Sequence, residues 1–382
     1  MLLKLFKYVW RSVTRQKARS VLTVVGIATA MFLFCFIEGL QSGVRQATEN
    51  EATQNVLIVY QKSRFCPSTS NIPERYATQI AEIPGVKSVL PVKIFVNNCR
   101  ASLDSVTFRG VPERTFTDGE REIQLVDGSI DDFAKKTDGA LVGRALAERR
   151  GLKPGDRFKV GEVDVGVAGI YLSDVPGEEN VAYSHLEFLQ RARGVDSIGR
   201  VTQFELEIED AEKSDEIIAK IDEMFKSDEI QTSTKSHKAF ISAATGDLLG
   251  LVKFTRWLGL ICVLVVLGLT ANTVYVMVQD RVKEHAVLQT LGFPGYYLFG
   301  MVIGESLVLS IGGGLLGTAA AALILRYGNL GLGAEGVQIA FMLTPGVVVA
   351  GMAAAAVTGV LAGVMPAIQS AVAPIVDSLR KV

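Results

Sequence analysis

Four stretches of this chain are long, apolar and nearly free of charge: residues 20–37, 257–279, 296–325 and 345–368. A bilayer core of ~30 Å takes ~20 residues of helix to cross. A backbone inside it must satisfy its own hydrogen bonds, which leaves helices or closed barrels. Unbroken runs of this length select helices. Their placement constrains the fold further, because one run precedes a long charged region, 42–250, and three follow it. The expected fold class is therefore a membrane α-helical protein of four transmembrane helices, with an extracytoplasmic α+β domain inserted between helices 1 and 2.

Orientation follows from the basic residues. The first twenty residues hold Lys4, Lys7, Arg11, Arg15, Lys17 and Arg19 and no acid. Leu5, Phe6, Val9, Trp10 and Val13 recur among them at helical spacing. That pattern predicts a basic amphipathic helix over 1–19, lying on an anionic membrane face in the cytoplasm. A cleaved signal peptide is the competing reading. The apolar run is longer than a usual signal core, and no small-x-small site with a polar start follows Ile37. A first span over 20–41 is expected instead, then the outer domain over 42–250 and a second span over 255–279. A cytoplasmic segment over 280–295 leads to a third span, 296–325. A short outer loop, 326–344, leads to a fourth, 345–368, and a cytoplasmic tail, 369–382. Arg281, Lys283, Arg380 and Lys381 then fall on the same side as the N-terminal cluster. Gly300/Gly304, Gly313/Gly317 and Gly359/Gly363 stand at the spacing that lets helices approach closely in a bilayer.

The outer domain reads as two parts. Strands are expected over 56–60, 86–92, 106–110 and 201–208, with helices over 73–83 and 211–225. A second subdomain, about 118–200, carries a helix over 140–150, a Pro-Gly-Asp turn at 154–156 and a hairpin of 157–160 with 163–171. No hydrolase, metalloprotease or phosphate-loop motif occurs. His185 and His237 stand alone, so neither a metal site nor a catalytic constellation is expected. A net charge of −1 gives no reason to expect a nucleic-acid partner. Cys35 and Cys262 lie in apolar runs and read as small hydrophobes. Cys66 and Cys99 fall in the outer domain, where a disulfide between them and two free thiols both stand open.

Two features look functional. Glu305 is an acid well inside a span, a placement that costs about 2.5–3.5 kcal/mol at mid-bilayer. Asn272 in the second span is the expected partner for a structural contact; an ion or proton site and a position near the interface are the alternatives. The second feature is the segment 280–294, D-R-V-K-E-H-A-V-L-Q-T-L-G-F-P. It reads as a short amphipathic helix ended by Gly292 and Pro294. Lys283, Glu284 and His285 are the expected contacts to a partner in the cytoplasm, and Leu288 and Leu291 the expected anchors to the spans.

These residues carry a family resemblance. Arg11-Ser12, Arg15, Lys17, Arg19-Ser20, Leu22-Thr23 and Gly26-Ile27 are similar to the opening motif of the FtsX/MacB-like permeases. The run from Lys283 to Gly292 resembles their R-E-x-A-x-L-[KR]-x-L-G signature, with Lys283 in place of Arg and Gln289 in place of the basic residue. Pro366-Ala367, Ala371, Pro374-Ile375 and Ser378-Leu379-Arg380 resemble the closing motif. The resemblance implies a non-catalytic membrane subunit of an ABC transporter that acts by mechanotransmission in a bacterial inner membrane. It also implies a separate ABC ATPase, which binds the ATP and Mg, since no Walker A loop is present in this chain. A homodimer or heterodimer, membrane lipids and a periplasmic adaptor are the further partners it suggests. The alternative within the same family is a regulator of an extracellular cell-wall hydrolase, with no transport.

Overall fold

The computed structural model describes residues 15, 17–48, 54–64, 69–97, 105–117, 123–173, 177–244, 246–328, 331–334, 337–341, 343–372 and 374. The residues expected as the N-terminal amphipathic helix lie outside this set up to position 14, as do Cys66, Cys99 and most of the C-terminal tail. The chain forms two compact units. A membrane unit comprises Met1–Leu40, Leu251–Tyr327 and Met342–Val382, and a sheet domain comprises Gln41–Gly250 and Gly328–Phe341.

The membrane unit is built on four helices: α1 (Lys17–Thr48), α9 (Gly246–Asp280), α11 (Gly295–Tyr327) and α12 (Pro345–Val372). Each contains a segment long and apolar enough to cross a bilayer, and each coincides with one of the four apolar runs. Leu22, Trp257, Leu264, Leu316 and Leu361 point outward from the bundle. Small residues set the helix contacts. A side chain at Gly313 would meet Ile27 and Val24 of α1, and one at Gly317 would collide with the carbonyl of Ala28. Gly359 and Gly363 lie against Ser310 and Ser306 of α11, and the Ser306 hydroxyl donates to the Gly359 carbonyl at 2.6 Å. Gly300, by contrast, faces open space. Cys35 is buried against Thr318, in keeping with its role as a small apolar residue.

The sheet domain contains β1 (Val56–Gln61), β2 (Ile72–Pro73), α2 (Tyr76–Ala81), β3 (Val86–Val96), β4 (Thr107–Val111), α3 (Arg114–Thr117), β5 (Gln124–Gly128), α4 (Ile130–Lys135), β6 (Gly139–Gly143), α5 (Arg144–Arg150), β7 (Arg157–Val160) and β8 (Val163–Leu172). It continues with β9 (Val181–His185), α6 (Leu186–Ala192), β10 (Arg200–Val201), β11 (Gln203–Ile208), α7 (Ser214–Met224), β12 (Thr232–Ser236), α8 (His237–Ala244), β13 (Gly331–Ala334) and β14 (Val337–Ala340). The main sheet runs β12-β1-β11-β3-β4-β9-β6-β8-β5, with β7 paired to β8.

The eleven-residue strand β3 joins two packing regions. Its first part, Val86 to Val92, pairs with β11, and its last part, Lys93 to Val96, pairs with β4. The first region packs Leu57, Phe204 and Leu206 of the sheet on Ile80 of α2 and on Ile217 and Ile221 of α7. Tyr76 stacks on Phe225 there, with centroids 4.1 Å apart. The second region buries Phe108, Val142, Leu146 and Leu189 on one face and Phe133, Leu141, Tyr171 and Tyr183 on the other.

Two expectations need correction, and one strand was not expected. Residues 139–143 form a strand, and only 144–150 are helical. All five residues of β6 are buried, so the alternation that marks a half-exposed strand is missing. Gly143 belongs to that packing, since a side chain there would strike the backbone of Glu179. β9, another almost wholly buried strand, went unread for the same reason. The loop 326–344 is also more than a connection. It carries the hairpin β13–β14, whose Val337 and Ile339 pack with Val44, Ile58, Tyr60, Phe240 and Ile241.

Candidate functional site

The segment between α9 and α11 forms α10 (Val282–Thr290). Its end is fixed by local chemistry. Gly292 adopts φ 89, where a residue with a Cβ is strained. The Gly292 N–H donates to the Gln289 carbonyl at 3.0 Å, and the Phe293 N–H to the Leu288 carbonyl at 3.1 Å. This pair of bonds closes the helix as a Schellman motif, and Pro294 prevents its continuation. The chain then enters α11 at once: Gly295 sits so close to the Ala371 carbonyl of α12 that a Cβ would clash.

Charged side chains attach α10 to the bundle. Arg281, half-buried at its N-cap, donates from Nε to Glu284 Oε2 at 2.9 Å and from Nη1 to Glu305 Oε1 at 2.8 Å. The two side chains of the Arg281–Glu305 pair are 11% and 5% exposed. Glu284 Oε1 also accepts from Arg15 Nη1 at 2.9 Å, and Asp280 Oδ2 accepts from Arg19 Nη1 at 3.0 Å. Deeper in the same contact, the Thr23 and Thr273 hydroxyls of α1 and α9 are 3.1 Å apart. On the other side, His285 Nδ1 lies 2.8 Å from Ser370 Oγ of α12. The short helix is thus tied to α11, to α12 and to Arg15, which precedes α1.

The electrostatics follow from this packing. Burial, aided by the neighbouring Arg281 charge, pushes His285 down from 6.5 to about 4, so the ring is neutral at pH 7. Burial also pushes the Glu284 carboxyl up, but Arg281 and Arg15 outweigh it and hold the group below its ordinary value.

The placement differs from the amphipathic reading. His285, expected to face a partner, is only 6% exposed and faces Ser370. Leu291, expected as an anchor, is 71% exposed, while Leu288 is half-buried. Lys283 is exposed and Glu284 is partly covered. Val287 and Phe293 join Leu291 in facing outward. Asn272 is exposed on α9, and the charge partner of Glu305 is Arg281. Arg281, expected only as one of the basic residues that set the orientation, holds Glu305. An acid in a span requires a cation, and the adjoining loop offers Arg281 and Lys283.

Among the described residues no cluster of His, Cys, Asp and Glu has the makings of a metal site. Residues 20–224 match the MacB-like periplasmic core domain, and residues 257–375 match the FtsX-like permease C-terminal domain. Among solved structures, the periplasmic region of MacB from Actinobacillus actinomycetemcomitans is similar at 12% identity and a TM-score of 0.36, over 52% of this chain and 97% of that one. The extracellular domain of the noncanonic ABC-type transporter YknZ from Gram-positive bacteria is similar at 15% identity and a TM-score of 0.34, over 47% of this chain and 100% of that one. No curated protein matches the chain.

Proposed function

The chain belongs to the family of FtsX-like permeases with a MacB-like periplasmic core domain, and from that premise we propose that it is the membrane subunit of an ABC transporter driven by an ATPase on a separate polypeptide. Permeases of this family are in general non-catalytic and work with an ABC ATPase. In this reading the ATPase binds ATP and Mg, docks on α10 from the cytoplasm, and moves the spans. The spans pass that motion to the sheet domain on the far side of a bacterial inner membrane, where a substrate is exported or extracted. The N- and C-termini lie in the cytoplasm, and two copies, alike or different, form the working unit. An adaptor protein beyond the membrane is a further partner.

The observation that carries the reading is the build of α10. A lever must be stiff and must present a surface. Ion pairs and a buried histidine fix the helix to three neighbours, while Lys283, Val287, Leu291 and Phe293 remain outward. Exposed apolar side chains at the end of a clamped helix suit a partner's pocket.

The test is purification of the full chain in mild detergent together with its ATPase. Leu291→Asp is expected to leave the yield of folded permease unchanged and to abolish both co-purification and stimulated ATP hydrolysis. Full stimulation by this variant contradicts α10 as the dock, and recovery of no ATP-binding subunit with the wild-type chain contradicts the whole reading.

A further inference from the structure

The sheet domain holds a second buried cation, in a setting unlike that of Arg281. Alternation along β3 puts Val89, Pro91, Lys93 and Phe95 on one face. Val89 packs with the first region of the domain and Phe95 belongs to the second, so Lys93 sits at their seam. It is 5% exposed. Its Nζ donates to Asn71 Oδ1 at 3.1 Å. That oxygen is uncharged, and among the described residues Lys93 has no carboxylate within ion-pair distance.

Two guanidinium groups share this seam. Arg193, which follows α6, lies over the Phe95 ring at 5.2 Å from its centroid. Arg200 lies on β10, which pairs with β2 immediately after Asn71, so that Arg200 stands opposite Pro73. Neither arginine side chain forms an ion pair among the described residues. Burial first, then the charges of Arg193 and Arg200, push Lys93 down to about 8, a value at which it still carries its proton at pH 7. Glu74 Oε2 accepts from Gln190 Nε2 at 2.9 Å, and Asp196, between the two arginines in sequence, is exposed.

A buried ammonium ordinarily takes a carboxylate partner, because an unpaired charge costs several kcal/mol out of water. Here Lys93 meets only an amide oxygen, and two further cations lie near it. Guanidinium groups bind oxyanions through paired N–H donors, and a dianion matches an excess of positive charge better than a single carboxylate does. An open cavity of about 800 Å³ lies along the earlier part of β3, lined by Glu74, Val89, Pro91 and Glu113 among others, and Lys93 is not in its lining.

We propose that Lys93, Arg193 and Arg200, with Asn71, form a binding site for a phosphate-type oxyanion in the sheet domain. The anion completes a charge constellation that the fold leaves uncompensated. Free phosphate and a phospholipid headgroup present the same chemistry. The site is independent of the ATPase, and its test involves neither nucleotide nor partner.

The experiment is thermal unfolding of the purified full chain in detergent, titrated with inorganic phosphate against sodium chloride at equal ionic strength. In a second arm the probe is a short-chain phosphatidic acid below its micellar concentration. The melting temperature of the sheet domain is expected to rise with phosphate, as binding to the folded state requires. Lys93→Met, Arg193→Ala and Arg200→Ala are each expected to weaken the apparent affinity about tenfold, the scale of one lost charge-assisted bond. Arg193 is exposed, so its variant tests the site even if the buried substitution impairs folding. A response to both probes with the same mutational pattern assigns a lipid headgroup as ligand, and a response to inorganic phosphate alone assigns the free anion. No rise beyond chloride with either probe, or a rise that Arg193→Ala and Arg200→Ala leave intact, overturns the proposal.

Discussion

Arg281 in the membrane unit and Lys93 in the sheet domain are both cations drawn out of water, and their surroundings are opposite. Arg281 meets two carboxylates, those of Glu284 and Glu305. Lys93 meets an amide oxygen and shares its seam with two arginines. A buried charge with its counter-charge in place is a tie: it fixes one element to another and needs nothing more. A buried charge surrounded by like charge marks a place where something from outside completes the site. The same elementary cost, removal of a cation from water, thus serves mechanics in one unit and recognition in the other.

The sharpest way to break this comparison is to remove each cation. Arg281→Met leaves Glu305 buried without its counter-charge, a loss of about 3–5 kcal/mol. Detergent-solubilised variant protein is expected to melt well below wild type. The double variant Arg281→Met, Glu305→Met should recover most of the difference, because no orphaned charge remains. Lys93→Met is expected to behave in the opposite way in phosphate-free buffer. It should keep or raise the melting temperature of the sheet domain, by about 1 kcal/mol or less. A destabilisation as large as that of Arg281→Met would show that Lys93 is a structural tie after all.

Acid sharpens the comparison on the membrane side. His285 has a folded-state pKa of about 4 against an ordinary 6.5. In the window between these values the unfolded chain binds a proton that the folded chain refuses. The stabilisation from a neutral, buried His285 is therefore complete above pH 6.5 and is lost as pH falls towards 4. Melting curves between pH 7.5 and 4.5 should fall less steeply for His285→Gln than for wild type. The smallest effect belongs to the exposed pairs. Arg15→Ala and Arg19→Ala each break a bond that is open to solvent, and a change below about 1 kcal/mol is expected for either.

The membrane helices were legible because hydrocarbon demands long uncharged runs, and each helix lies on the run that announces it. The hairpin of β7 and β8 was legible through its turn and alternation. What escaped has a common cause: burial on all sides erases the pattern. β6 is apolar or small throughout, β9 is buried at four of its five positions, and neither shows a period of two in burial. α10 was recognised as a helix, but its orientation was read from hydrophobicity. In so short a helix the attachment is made by Arg281, Glu284 and His285, and Leu291 is left outside. A lone acid in an apolar span was the signal for Arg281. A lone lysine in the run V-L-P-V-K-I-F-V was the corresponding signal for Lys93.

ATP hydrolysis by the proposed ATPase partner, measured with wild-type and Leu291→Asp permease in the same detergent, tests the central claim most directly. The account predicts strong stimulation by the wild-type chain and loss of that stimulation in the variant, with the melting temperature of the permease unchanged. Equal stimulation by both proteins would contradict α10 as the point where the motor acts.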